Sequence, residues 1–221
     1  LRRGKHVATI AFWGDSITEG VPGAAFIDIV RENRPQHTVH NFGKGGDTVV
    51  SLYRRLNKIQ RTQPETLSAD LSFLWVGVND ILPYVSWFYS PVKRIVKQPW
   101  AKNEEEFSRY YRSTIETLNS FCRQLWVVPP LFIGEELDNP WNKKLAQQTE
   151  IIRKIVEMFP GTQFLDIRTT LKDRLRTLIQ KEGDTSSYLP AHLFPAAVDL
   201  FKYRDGKKAD RRAEERGFYV T

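Results

Sequence analysis

The sequence predicts an α/β protein: a doubly wound, flavodoxin-like parallel sheet of five strands with helices on both faces, in one domain spanning residues 1–221. Three observations predict it. Five short apolar segments, rich in branched and aromatic residues, alternate with segments whose apolar residues recur at helical spacing. Those strand segments are continuously apolar, as strands buried on both faces must be. No repeat, low-complexity tract or linker divides the chain, and 221 residues suit one well-cored domain and hardly two.

The strands are read at 7–13, 38–42, 71–76, 124–128 and 163–167. After the first, residues 24–33 carry a helical apolar pattern, and 48–59 repeat it after the second. The third helix starts at Asn103 as cap, with Glu104, Glu105 and Glu106 set against the positive helix end. Its stripe is Phe107, Tyr111, Thr114, Leu118 and Cys122, at spacings of three and four. This places Cys122, the single cysteine, as a small core residue on that helix and excludes an internal disulfide. A fourth helix opens at Asn139-Pro140, a cap followed by proline at the first helical position, with Leu145, Ile152, Ile155 and Phe159 as its stripe. The last fifty or so residues are less regular: a basic amphipathic helix at 168–181, a proline-punctuated loop at 183–195 and another helix at 205–216.

Composition excludes several classes. No run of 18 apolar residues exists, so no membrane span is expected, and no secretory signal is visible. The chain begins at Leu1 rather than Met, which leaves an upstream targeting segment, and with it the compartment, open. Lys and Arg exceed Asp and Glu by 33 to 26, a net charge of +7. Much of the excess lies in 202–216, where seven basic residues face four acidic ones. With acids interleaved and aromatics scarce, that run reads as a solvated helix rather than a nucleic-acid surface. A modest preference for anionic substrates is all the charge supports. Nothing fixes the oligomeric state, and no cofactor or metal is called for.

Three loops carry the chemistry. "GDSIT" follows the first strand, "NFGKGGDT" the second and "VGVND" the third. With the common strand order 2-1-3-4-5, the first strand lies between the other two, and ligands of such sheets bind beyond the carboxyl ends of the strands. Neighbouring strands are about 4.8 Å apart, so the three loops meet over one patch. Each has an ordinary reading too. Ser16-Ile17-Thr18-Glu19 fits the Ser-x-x-Glu capping box. Gly43, Gly45 and Gly46 fit a tight turn, and Asn79-Asp80 a turn or cap. Together, and in order, they fit acyl transfer, which needs a nucleophile and donors aimed at a developing oxyanion. Ser16 offers its hydroxyl and a helix-start N–H, Gly46 an N–H without an obstructing side chain, and Asn79 two uncharged side-chain N–H groups.

These residues resemble the SGNH, or GDSL-type, hydrolases. Gly14-Asp15-Ser16 is similar to the first block of that family, Gly46 to the glycine of the second, and Gly77-Val78-Asn79-Asp80 to the Gly-x-Asn-Asp third block. The resemblance implies Ser16 as nucleophile, with the Ser16 N–H, the Gly46 N–H and the Asn79 side chain as oxyanion hole; Asp15 and Gly77 support the turns. It also implies a small-molecule ester as substrate. The family's fourth block, Asp-x-x-His, is absent. Of His6, His37, His40 and His192, the first three fall at the wrong sheet end or inside a strand. His192 is late enough in the chain but has no aspartate three residues before it. Either the sequence stops before that block, after the apolar stretch 217–221, or this is a degenerate member that binds without turning over; three intact blocks favour the first.

The connection 81–102 holds Tyr84, Trp87, Phe88, Tyr89 and Trp100, and reads as a lid whose Tyr84, Trp87 and Phe88 line an acyl or sugar pocket, or as a loop packed on the core. The expected function is therefore a serine esterase acting on a lipid, acyl or sugar ester. The alternatives are a non-catalytic carbohydrate- or lipid-binding relative, and a nucleotide-binding domain using residues 43–46 as phosphate loop. The latter lacks the Gly-Lys-Ser/Thr such loops require.

Overall fold

In the computed structural model, which describes residues 7–21, 25–85, 98–133 and 137–182, five parallel strands form one sheet. They are β1 (Thr9–Gly14), β2 (Thr38–Gly43), β3 (Ala69–Trp75), β4 (Cys122–Val128) and β5 (Gln163–Phe164), in the order β2-β1-β3-β4-β5. The described helices are α1 (Ser16–Glu19), α2 (Phe26–Asn33), α3 (Val49–Thr62), α4 (Val78–Val85), α5 (Glu104–Asn119), α6 (Pro140–Glu157) and α7 (Ile167–Glu182). The predicted class and strand order are those observed.

The two faces of the sheet are built differently. Alternate residues of each strand point to opposite faces. On one face Ala11, Trp13, Leu74, Leu125 and Val127 meet Leu52 and Leu56 of α3, Tyr111, Ile115 and Leu118 of α5, and Ile152, Ile155 and Val156 of α6 in a single core. A fully buried Leu or Ile contributes about 1.5–3 kcal/mol, so this core carries most of the stability. The opposite face is an aromatic row. Phe12 stacks on Phe73 at 4.7 Å, Phe73 neighbours Trp126, and Phe26 of α2 meets both Phe12 and Trp75.

The helix starts follow the chemistry of their caps. Asn103 accepts the Glu106 N–H at 2.8 Å, and Asn139 accepts those of Trp141 and Asn142, as the sequence predicts. Four expectations are corrected. Cys122 is not on α5: the helix ends at Asn119, and Cys122 opens β4 opposite Ala69. Its spacing from Leu118 continues the helical period by coincidence across the turn. It still packs against the core, and burial pushes its thiol up. The fifth strand stops at Phe164, because Asp166 instead caps α7. Residues 81–85 belong to α4 rather than to a loop, although Pro83 lies inside it and deprives the Asn79 carbonyl of its helical donor. The fourth correction concerns the Ser16 capping box, taken up with the site. The predicted 183–195 loop, 205–216 helix and basic run 202–216 lie outside the described residues. No described helix is long and apolar enough to cross a membrane.

The start of α7 is fixed by two charged groups. The Arg168 guanidinium is buried, donates to the carbonyls of Pro130, Leu131 and Asn142, and lies 4.1 Å over the Phe132 ring. Burial lowers its pKa, opposed by the nearby Asp166 charge. Burial alone would raise the Asp166 carboxyl, but the Thr169 N–H at 3.1 Å, the Arg153 guanidinium at 2.9 Å and the Thr169 hydroxyl outweigh it and hold it below the ordinary range. A depressed carboxyl contributes stability above its unfolded pKa and loses it as pH falls through the folded one. Asp166→Ala should therefore cost about 1 kcal/mol at pH 7. The difference from wild type should shrink as pH falls from the unfolded carboxyl's pKa through the native one; urea unfolding across pH measures it, and a pH-independent difference would reject the charged cap.

Candidate active site

The site is positioned by strand register. Gly14, the last residue of β1, pairs with Gly43, the last of β2, on one side and Trp75, the last of β3, on the other. The three loops predicted to meet thus leave the sheet at one level. Side chains are excluded at the crossing points. A Cβ on Gly14 would collide with the Thr18 hydroxyl and the Trp75 carbonyl, and one on Gly43 with the backbone of Thr18 and Glu19. The Lys44 N–H then donates to the Gly14 carbonyl at 3.1 Å, tying the second loop to the first.

Ser16 is the first residue of α1, and Asp15, not Ser16, is its cap: the Asp15 carboxylate accepts the Ile17 N–H at 3.1 Å. The capping-box reading fails for Glu19 too. Its carboxylate reaches across to accept the Gly45 N–H at 2.6 Å, stapling α1 to the glycine-rich turn. Ser16 is accordingly spared the capping role. It is half-buried, and as the first residue of the helix its own N–H has no intrahelical acceptor.

The second loop turns at Gly46, whose φ of 76° lies in the left-handed region that favours glycine. The Gln98 amide donates to the Gly46 carbonyl, and the Gly46 N–H has no hydrogen-bond partner among the described residues. Next to it, Asp47 is buried. Its carboxylate accepts from Arg55 Nε at 3.1 Å, from an Arg55 terminal nitrogen at 2.8 Å and from the Ser51 hydroxyl at 2.9 Å. Thr48 caps α3 in a reciprocal box with Ser51.

The third loop closes on the second. Asn79 is 7% exposed, and its Nδ2 donates one N–H to the Asp47 carbonyl at 3.0 Å, beside Gly46. Asp80 accepts the Val49 N–H at 2.9 Å, so its carboxylate caps α3 from a distance of 31 residues. Gly77, at φ 134°, lets its carbonyl receive the buried Gln148 amide of α6 at 2.9 Å, at a point where a Cβ would press on that amide. The structure thus brings Ser16, Gly46 and Asn79 to adjoining loops at one sheet end, with Asp15 and Gly77 in turn-forming roles. The sequence reading missed Glu19 as staple, the Asp47–Arg55 pair and Gln148. Only the eight-residue separation of Asp47 and Arg55, about two helical turns, was visible as a signal.

Tyr84 lies near, but not at, this junction. Its hydroxyl donates to the Ala101 carbonyl at 3.0 Å, and its ring is half exposed with the Lys144 ammonium 5.5 Å above it. Burial, then the charges of Asp80 and Glu106, raise its pKa. It lines a cavity of about 320 Å³ with Ile81, Phe107, Lys144, Gln148 and Ile151, among others, a space bordered by α4, α5 and α6. None of Ser16, Gly46 or Asn79 lines it. Trp87, Phe88, His6 and His192 lie outside the described residues. His37 accepts the Ala8 N–H at 3.1 Å before β2 begins, roughly 20 Å of strand from Gly43, and His40 stands inside β2. Among the described residues no group of three His, Cys, Asp or Glu is arranged to hold a metal.

Comparison with known proteins identifies the family and the fold. A family model described as the GDSL-like Lipase/Acylhydrolase family matches residues 12–196. No curated protein sequence matches the chain. Among solved structures, the acetylxylan esterase Axe2 of Geobacillus stearothermophilus is similar at 18% identity and TM-score 0.59, over 77% of this chain and 80% of its own. Catalytic mutants of Axe2 with a serine, an aspartate or a histidine replaced by alanine match at the same TM-score of 0.59. The acetyl xylan esterase AlAXEase is similar at 22% identity and TM-score 0.61, over 80% of this chain and 86% of its own.

The two neighbouring glycines of the second loop separate close packing from mere turn preference. Gly43→Ala forces backbone apart where α1 crosses β2 and should cost at least about 1–3 kcal/mol. Gly45→Ala meets only the end of the flexible Glu19 side chain, at 3.0 Å, and should cost clearly less. Urea denaturation of both variants measures the contrast; equal losses would reject the crossing contact as the constraint.

Proposed function

Because the chain belongs to the GDSL-like lipase/acylhydrolase family, we propose that it is a serine esterase acting on a carboxylic ester of a small molecule (lipid, acyl or sugar) through an acyl-enzyme. The observation that carries the proposal is the Asn79 Nδ2 bond to the Asp47 carbonyl at 3.0 Å. That bond uses one amide N–H, fixes the side chain beside Gly46 and leaves a second N–H for a ligand.

In this reading the Ser16 oxygen attacks the ester carbonyl carbon, and the carbonyl π electrons move onto oxygen. The oxyanion accepts hydrogen bonds from the Ser16 N–H, the Gly46 N–H and the second Asn79 N–H. Collapse of the intermediate expels the alcohol and leaves Ser16 acylated; water then releases the acid. Three neutral donors held by the fold stabilise charge as it develops without reorganising during the reaction. A serine hydroxyl also needs a base to take its proton and return it to the leaving alcohol. His37 and His40 do not serve, since one is engaged at the far end of β2 and the other stands within it. His192 is the histidine that follows the third block, and it is the one to test. The acetylxylan esterases among the similar structures favour a sugar ester as the first substrate to try.

Asn79→Ala should lower kcat by about 10²–10³ with the fold retained, the usual effect of removing one oxyanion donor. Ser16→Ala should abolish both hydrolysis of p-nitrophenyl acetate and labelling by a fluorophosphonate. Loss of turnover in His192→Ala assigns the base to that residue, whereas unchanged turnover assigns it elsewhere. Saturable binding of acetylated xylo-oligosaccharide with neither turnover nor labelling in the wild type would establish the non-catalytic reading instead.

A further inference from the structure

We propose that Arg55 is a positioning residue for the oxyanion hole, acting through Asp47; the proposal rests on the ester-hydrolase reading above. The Arg55 guanidinium makes two kinds of contact at once. Its Nε and one terminal nitrogen hold the Asp47 carboxylate at 3.1 and 2.8 Å, and that terminal nitrogen also donates to the Phe42 carbonyl at 2.8 Å. Phe42 and Asp47 are the residues immediately before and after the turn 43–46. Arg55 therefore clamps both ends of the segment that carries the Gly46 N–H.

The turn needs such a clamp. Three of its four residues are glycine, and glycine contributes no side-chain packing and the widest backbone freedom. Its geometry is set by what grips it: the Gly14 carbonyl at Lys44, Glu19 at Gly45, Gln98 at Gly46, and Arg55 at its two ends. The clamp is also keyed to β1. The Trp13 ring lies 6.0 Å from the guanidinium carbon and stacks on Phe42 at 4.1 Å. Thus α3 reports the position of β1 and β2 to the turn through one side chain.

The consequence for chemistry runs through Asp47. Its carboxylate is gripped by Arg55 and Ser51 while its carbonyl takes the Asn79 amide. A shift of Asp47 moves two of the three oxyanion donors together, the Gly46 N–H by covalent connection and the Asn79 N–H by its hydrogen bond. Misplacement by about 1 Å can cost on the order of 10² in rate. The planar fork of arginine matters here, because lysine supplies the charge but cannot hold a carboxylate and a carbonyl in one fixed plane. The Asp47 side chain is 3% exposed and that of Arg55 21%, so the pair is shielded from solvent.

The test compares R55M, R55K and the charge-neutral double variant D47N/R55M with wild type and S16A. Three readouts apply: melting temperature, kcat and KM on p-nitrophenyl acetate, and the ¹⁵N side-chain amide signal of Asn79. At temperatures well below melting, R55M should lower kcat at least about tenfold with KM changed less than about threefold, and R55K should recover part of the loss. The Asn79 amide proton held by the Asp47 carbonyl should shift and exchange faster in R55M. If R55M does not fold, D47N/R55M carries the same expectation and R55K a smaller loss of kcat in the same direction. A folded variant with lowered melting temperature but unchanged kcat and unchanged Asn79 signal would overturn the proposal, leaving the pair as an anchor of α3. Retained activity in S16A would overturn the esterase reading separately, because the Asn79 signal still tests the positioning.

Discussion

The site depends on a single register. Gly14 faces Gly43 and Trp75 at the carboxyl ends of three adjacent parallel strands, so three loops begin at one level within two strand spacings. A slip of one residue in either pairing would turn side chains to the wrong face and raise one loop above its neighbours. The glycines at the crossing make the register permissible, since α1 passes too close to Gly14 and Gly43 for any Cβ. The large core side chains of α3, α5 and α6 hold the sheet against slipping.

From that register a second level of order follows, made of polar groups reaching between elements. Glu19 of α1 takes the Gly45 N–H, Asp80 of α4 takes the first N–H of α3, Gln148 of α6 gives to the Gly77 carbonyl, and Asn79 gives to the Asp47 carbonyl. Each bond joins segments distant in sequence and satisfies a backbone group of a turn or helix start that would otherwise be left unpaired. Against this background the Gly46 N–H stands out among the described residues. In the proposed mechanism a turn gripped in this way, with one donor free, would meet the oxyanion without rearranging, which is the physical content of preorganisation.

The cavity bordered by α4, α5 and α6 makes a useful contrast. It has volume and mixed lining, and Lys144 sits over Tyr84 at its edge, yet the candidate nucleophile and donors are not among its walls. Among the described residues, this cavity and the candidate site lie on separate parts of the sheet end. Asp80 and Gln148 connect them, each lining the cavity while bonding to backbone beside the site, Asp80 at the first N–H of α3 and Gln148 at the Gly77 carbonyl.

Much of this was legible in the sequence because it is local. Continuous apolar strands, caps at Asn103 and Asn139 and three loops in order are short-range patterns; they determined the fold class and the strand order to expect, and pointed to Ser16, Gly46 and Asn79 as candidates that the register places at one sheet end. Where the sequence misled, two local readings competed and only packing chose between them. Ser16 and Glu19 fit a capping box by spacing, but the aspartate before them caps the helix and Glu19 binds a turn 26 residues away. Cys122 kept helical phase beyond a helix that had already ended, and Pro83 read as a breaker inside a helix the core retains. The grip of Arg55 on Asp47 and Phe42, and that of Gln148 on Gly77, were decided by tertiary structure alone. Partners brought together by strand order are separated by up to 71 residues of chain, and no periodicity in a sequence encodes a contact that exists only once the sheet has assembled.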